Sequence, residues 1–297
     1  MFAIIGIVVV IIAILGGFLL EHGPIAVLVQ PAELLIVAGA ALGTVLIANP
    51  VHILKEILIG LIGVFKGSRF KKQLYLDTLK MFSEMFSKAR REGLVAMESD
   101  IEEPDKSAIF TKYPFVIQDQ HLKAFICDTM RLAITGGIDA FDVDQMMEAD
   151  LEVSAHGEEM PSAALTTMAD SLPGLGIVAA VLGIVITMGA LGGPPEEIGK
   201  HVAAALVGTF LGILLCYGFV SPLAANMNKT AAEAHSYYNA IRVCLITFIK
   251  GNPPVVAIEM SRRSIPTAVR PTFQEVENYC KHAPAAAVTE EPVSAGQ

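Results

Sequence analysis

Four stretches of the chain, 2–20, 34–54, 172–191 and 202–222, together hold 81 positions without one Asp, Glu, Lys or Arg. Each is about 20 residues long, and a helical rise of about 1.5 Å per residue carries such a run across the roughly 30 Å hydrocarbon core of a bilayer. The pattern predicts four transmembrane helices in an all-α, polytopic membrane protein. The first run reads as a retained span: no basic residue precedes Phe2, and no A-x-A-like cleavage site follows at Leu20, Glu21 and His22.

The pattern changes after Leu54. Ile57 to Phe65 is apolar but flanked by Lys55, Glu56 and Lys66, too short to cross a membrane and better read as an interfacial helix. Tyr75, Leu79, Phe82 and Phe86 then recur at i, i+4, i+7 and i+11, one face of an amphipathic helix whose other face holds Asp77, Lys80, Ser83 and Glu84. Of the 21 Lys and Arg residues, 13 lie in 55–171 and 7 in 223–297, while the connection 21–33 has none and 192–201 only Lys200. The excess of positive charge places both large segments, and both termini, in the cytoplasm. The expected organisation is a first membrane hairpin (1–54), a cytoplasmic helical domain (55–171), a second membrane hairpin (172–222) and a cytoplasmic tail (223–297), disordered from about 283, where Ala, Pro, Glu and Ser dominate without an apolar period.

Composition narrows the function classes. AVILMFWYC residues make up 53% of the chain, and with 25 glycines this exceeds the share of a typical soluble domain. A net charge of −9 argues against nucleic acid as a partner. Cys127, Cys216, Cys244 and Cys280 are widely spaced in membrane or cytoplasmic positions, so disulfides are not expected. There is no metal-binding H-x-x-x-H or H-E-x-x-H pattern, no phosphate loop and no evident nucleophile and base pair, so the chain does not read as an enzyme and needs no cofactor.

In lipid, helices associate through small residues that let their backbones approach. Gly39 with Gly43, Gly176 with Ala180, Ala179 with Gly183, and Ala204 with Gly208 and Gly212 supply such faces, consistent with a tight bundle or a subunit assembly. Pro173 reads either as a first-turn proline after a Ser171 cap or, with Pro222, as one of a pair of joints at the cytoplasmic ends of the third and fourth spans; Pro222 alone reads as a helix stop. The polar groups of these spans are Thr187, Thr209, Cys216 and Tyr217, with Ser221 at the edge. An ion relay normally needs a titratable group, and the four runs hold only His52, so a conducting pathway would borrow its carboxylate from another polypeptide.

Two charged clusters stand out. Arg90, Arg91 and Glu92 precede Glu98, Asp100, Glu102 and Glu103, and a second acidic run covers Asp139, Asp142, Asp144, Glu148, Asp150 and Glu152. Each reads as a solvated helix face or as an edge presented to a partner, where charge sets encounter and register.

The layout of two spans, a large cytoplasmic segment, two spans and a tail resembles the MotA family of bacterial flagellar stator subunits. The likeness extends to Gln30, Pro31, Ala32, Glu33 and Leu34; to the loop from Arg90 to Glu98; to Asp170, Ser171, Leu172 and Pro173; and to the fourth span from Val207, Gly208, Thr209, Phe210, Leu211 and Gly212 to Ser221 and Pro222. The related ExbB and TolQ energisers of outer-membrane processes, the alternative reading, share the channel-helix pattern with three spans instead of four.

The resemblance implies roles for particular residues. Arg90 and Glu98 match charges that engage the rotor protein FliG, with Arg91 leaving open which arginine matters. Pro173 and Pro222 match prolines that couple ion passage to cytoplasmic movement, and Thr209 matches a threonine on the ion path, beside Thr187. Sodium-driven relatives have a threonine at the position of Ala180, so this alanine favours H⁺ as the transported ion. The implied location is the bacterial inner membrane, in lipid. The implied assembly is five copies around two helices of MotB, whose aspartate accepts the proton.

Overall fold

The structure is a computed structural model that describes residues 2–189 and 192–281. Its helices are α1 (Phe2–Leu20), α2 (Ile25–Leu28), α3 (Pro31–Ala48), α4 (Val51–Lys66), α5 (Lys72–Glu92), α6 (Glu98–Glu102), α7 (Pro114–Gln118), α8 (Gln120–Thr135), α9 (Ala140–Gly189), α10 (Pro195–Leu214), α11 (Ser221–Ile249), α12 (Pro254–Ser264) and α13 (Phe273–Lys281). No strand occurs among the described residues. Four helical segments are long and apolar enough to cross a membrane: Phe2–Leu20, Ile25–Ala48, Ala140–Gly189 and Pro195–Ile249.

The chain divides into two units: residues 1–68 with 153–232, and 69–152 with 233–297. The helices α9 and α11 contribute residues to both.

In the first unit, α1 has no buried residue, as expected of a helix whose solvent is lipid. Two small cores hold the rest. Val37 and Ala41 of α3 pack with Ala169, Leu172, Ala179 and Cys216, while Ile53, Ile57 and Val64 of α4 pack with Ala164, Leu165, Ala224 and Met227.

The apolar run 34–54 is not one helix. It begins earlier, where Pro31 at the first helical position has its φ preset for the helix, and it stops at Ala48. The Asn49 backbone N–H and side-chain amide both donate to the Val45 carbonyl, at 3.1 and 3.0 Å, and Pro50 then opens α4. The titratable group expected in this span, His52, is therefore on α4, where it is exposed. The helix of the third run does not start at 172 either. The Ser171 hydroxyl donates back to the Met168 carbonyl at 2.7 Å instead of capping a new helix, and α9 runs unbroken from Ala140 through Pro161 and Pro173. Nor does Pro222 stop the fourth: α10 passes through a π-helical turn, Leu215–Val220, directly into α11.

The second unit is a helical domain around a single core. Tyr75, Leu79, Phe82 and Phe86 are buried on α5, as their spacing predicts, but Met81, Met85 and Lys80 are buried too, so Lys80 does not belong to the solvated face expected for it. Phe86 stacks on Phe248 of α11 with ring centroids 4.0 Å apart, and the hydroxyls of Thr78 and Tyr237 lie 2.7 Å apart in the interior. The segment after the fourth span thus builds this core, and Tyr237, Ile241, Cys244, Leu245 and Phe248 show the helical spacing that could have revealed it. The helix α13 is clamped to α5 by Lys72–Glu275 at 2.5 Å and by Tyr279 donating to Asp77 at 2.5 Å. The stretch expected to be disordered from about 283 lies outside the described residues. All four cysteines are free.

Candidate functional site

Within the first unit the candidate ion path is built from α3, α9 and α10. A β-carbon at Gly176 would lie 2.9 Å from the Gly208 carbonyl oxygen, one at Gly183 would lie 2.8 Å from the Ala205 methyl, and one at Gly212 would lie 2.5 Å from the Leu172 carbonyl oxygen. These glycines are therefore required by close approach of backbones. The small-residue faces expected on the third and fourth spans meet here, with Ala179 fully buried and Ala180 half-buried. The pair on α3 behaves differently. Gly43 has no neighbour within contact distance of such a β-carbon, and Gly39 meets only Leu35 of its own helix.

The polar groups of the path are few. Thr187 is buried, and its hydroxyl donates to the Gly183 carbonyl one turn back at 2.8 Å, which satisfies it inside its own helix. Thr209 is half-buried. Ile177, Val181, Ile184, Val185 and Met188 of α9 are each more than half exposed, a purely apolar face that nothing in this chain covers among the described residues.

One buried carboxyl lies at the edge of the apolar runs. Glu33 stands one residue before the run as drawn, yet it belongs to the first turn of α3 and retains only 7% of its surface. Its Oε2 has no hydrogen-bond partner among the described residues and lies 2.8 Å from where a β-carbon at Gly208 would be. The same point is 3.0 Å from the Ala179 methyl and 3.4 Å from the Ala180 nitrogen. So the bundle does contain a carboxyl of its own, at the junction that holds Ala180 and adjoins Thr209. Sequence gave a weak signal for it: an acid within one turn of an apolar helix after a proline.

Pro173 is a half-buried interior residue of α9, and Pro222 is the exposed second residue of α11, inside the continuous helical segment Pro195–Ile249. The π turn ahead of Pro222 closes through the Ser221 N–H donating to the Cys216 carbonyl, five residues back. Pro222 itself has no N–H to donate, so the wide turn sits where the α ladder is already broken. The Cys216 thiol and Ser221 hydroxyl are 3.8 Å apart across it.

The second unit carries the charged edge. Arg90 and Arg91 are exposed in the last turn of α5, favourably placed against the negative end of the helix dipole. Gly93, at φ +91°, then reverses the chain into a short 3₁₀ turn, Leu94–Met97, and α6 begins at Glu98, also exposed. Neither arginine nor Glu98 makes an ion pair among the described residues. Asp100, grouped with them by sequence, is different: it is buried, paired with Lys88 at 2.6 Å, and accepts the Ser107 hydroxyl at 2.6 Å. Ser107 in turn accepts the backbone N–H groups of Ile109 and Phe110. Asp100 therefore ties the turn onto α5, while Glu98 is left free. The second acidic run divides in the same way. Asp144 and Glu148 bind Arg242 at 2.6 and 3.2 Å, whereas Asp139, Asp142, Asp150 and Glu152 are exposed and make no ion pair among the described residues.

No group of three or more metal-ligating side chains occurs among the described residues. Among ionisable groups, Glu259 on α12 is held at about 2, first by its hydrogen bond from Arg262 and then by Arg263.

Comparison with known proteins covers nearly the whole chain. Residues 4–93 match the family model "Motility protein A N-terminal", and residues 117–239 match that of the MotA/TolQ/ExbB proton channel family. The chain is 37% identical to Motility protein A of Escherichia coli over 281 residues, 95% of each sequence. It is 35% identical to chemotaxis protein LafT of Vibrio parahaemolyticus over 274 residues, 92% of this chain and 96% of that one. Its fold is similar to solved MotAB structures. The C. jejuni structure gives a TM-score of 0.75 at 20% identity, covering 91% of this chain and 98% of that one. The Bacillus subtilis stator complex gives 0.70 at 24%, covering 86% and 92%.

Proposed function

The chain belongs to the motility protein A family, the flagellar stator subunits among the proton channel proteins, and from that premise we propose how its residues divide the work. Copies of the chain surround a MotB-like partner, with five chains around two partner helices, and the uncovered apolar face of α9 with Ile177, Val181 and Val185 receives them. Protons pass along this face by way of the partner's aspartate. Ala180 offers no oxygen to coordinate a sodium ion, which supports H⁺ as the cargo. Thr209 lines the path, and Thr187 contributes shape, since its hydroxyl is already bonded within α9.

Each proton releases roughly 2.3 kcal/mol per 100 mV of membrane potential. Pro173 and Pro222 lie on the two helices that supply residues to both units, so a change of packing around them is the coupling step. The working edge is Arg90, Arg91 and Glu98, which meets complementary charges on the rotor protein FliG. The sites lie in the inner membrane and, for this edge, in the cytoplasm.

The observation that carries the reading is the agreement in family along 95% of the chain, together with an edge whose three charges are exposed and make no ion pair among the described residues. Charge steers such contacts and fixes their register more than it tightens them. A triple reversal, Arg90→Glu, Arg91→Glu and Glu98→Lys, is expected to abolish swimming while the complex still assembles and still conducts protons into vesicles when its partner is co-expressed. Normal swimming by the triple variant removes the edge from the mechanism, and a complex that passes no protons in sodium-free buffer removes the channel.

A further inference from the structure

The buried carboxyl of Glu33 has no counterpart in the division of work above. Its Oε2 is enclosed, has no hydrogen-bond partner among the described residues, and is lodged in the notch left by the missing side chain of Gly208. The residues nearest that notch, Gly208, Ala179 and Ala180, carry no charge, and α3 carries no other ionisable group. The nearest ionisable groups of the neighbouring elements are Glu21 and His22 beyond α1, Glu196, Glu197, Lys200 and His201 in the first turns of α10, and Asp170 on α9, which is exposed and precedes Ala179 by nine residues, about 14 Å along a helix. Glu21 lines an apolar cavity of about 510 Å³ with Leu206, Val207 and Phe210 of α10, and His201 precedes Gly208 by seven residues, about 10 Å along a helix. None of them donates to Glu33.

An ionised carboxylate without a donor is expensive in such surroundings, whereas the acid form needs no counter-charge and carries a transferable proton. A group used only for packing would be better served by an apolar side chain of the same size. We propose that Glu33 is a proton-binding site of this chain, a station on the path in addition to the partner's aspartate. The inference rests on the proton-channel reading above. Glu33 in its acid form gives its proton through water to the ionised aspartate, leaving a carboxylate, and regains one from water on the outer side, where the turn before α3 emerges under the proposed topology. Gly208 is required because any larger side chain would occupy the carboxyl's place.

The test uses the assembled complex in vesicles of native lipid, with dicyclohexylcarbodiimide as the probe, since it couples to protonated carboxyls in apolar sites. The expected result is a carbodiimide adduct on the peptide containing Glu33, absent from Glu33→Gln. Proton uptake should fall severalfold in Glu33→Gln and be largely kept in Glu33→Asp, with equal amounts of assembled complex in all three. Gln is the neutral isostere of the acid, so a purely structural role predicts unchanged flux. A Glu33→Gln complex that conducts like the unsubstituted one, or a Glu33 that the reagent never labels, overturns the proposal. Absence of flux in the unsubstituted complex would instead refute the channel reading on which it rests.

Discussion

The Lys88 ammonium lies 2.6 Å from the Asp100 carboxylate, and this pair fastens the reversing turn that presents Glu98 to the chain segment carrying Arg90 and Arg91. Asp100 is buried and also receives Ser107, so replacing it by Ala strands a lysine and a hydroxyl together. Asp100→Ala should cost about 3 kcal/mol, seen as a lower melting temperature and as faster amide exchange across 94–110. Unchanged exchange there would show that the turn is held by Met97 and Ile101 alone.

Backbone contact makes Gly212 and Gly43 unequal. A methyl at Gly212 presses on the Leu172 carbonyl, which is helix backbone at a buried position and has little room to yield. Gly212→Ala should lower the stability of the purified chain in detergent by about 1–3 kcal/mol. Gly43→Ala should leave that stability unchanged, because among the described residues nothing lies within 4 Å of the added methyl; any loss it causes should appear only as weaker assembly on co-expression with the partner.

Thr187→Val keeps the shape of the side chain and removes a hydroxyl that bonds only its own helix. Proton flux and complex yield should both be retained. A severalfold loss of flux would give Thr187 a direct part in the path.

Glu259 supplies a pH dependence whose sign is fixed. Its folded value, about 2, lies below the ordinary 4.5, so its contribution to stability is complete above pH 4.5 and disappears as pH falls through about 2. Glu259→Gln should therefore remove about 1 kcal/mol at neutral pH and flatten the acid limb of the melting curve. It should also loosen the segment held by Arg262 on the Pro271 carbonyl. An acid limb identical to that of the unsubstituted protein would refute this assignment.

Much of this molecule can be read from composition and period, because lipid imposes its demand residue by residue. The four charge-free runs and the face of Tyr75, Leu79, Phe82 and Phe86 follow from that alone. Helix boundaries do not. Proline's penalty is local, about 3 kcal/mol, and the packing of Leu172 and Ala224, each buried in a core of the first unit, outweighs it at Pro173 and Pro222. The break at Asn49 and Pro50 had a local signal, an Asn-Pro dipeptide, masked by apolar residues on both sides. Glu33 and Asp100 show the deeper limit. The notch at Gly208 that holds one and the Ser107 hydroxyl that bonds the other are set by tertiary structure, so charge in the sequence cannot tell a solvated acid from an enclosed one.

The π turn at Leu215–Val220 gives the fourth helix one surplus residue. An α-helix advances about 100° per residue, so every side chain beyond Ser221 is phased by that extra position. Ala224 and Met227 reach the core beside Ile53 and Ile57 only in this phase. Excising a single residue from 215–220 would rewind the segment to ordinary pitch and swing both off their seats by more than a quarter turn. The bulge thus works as a vernier that sets where the continuing helix points.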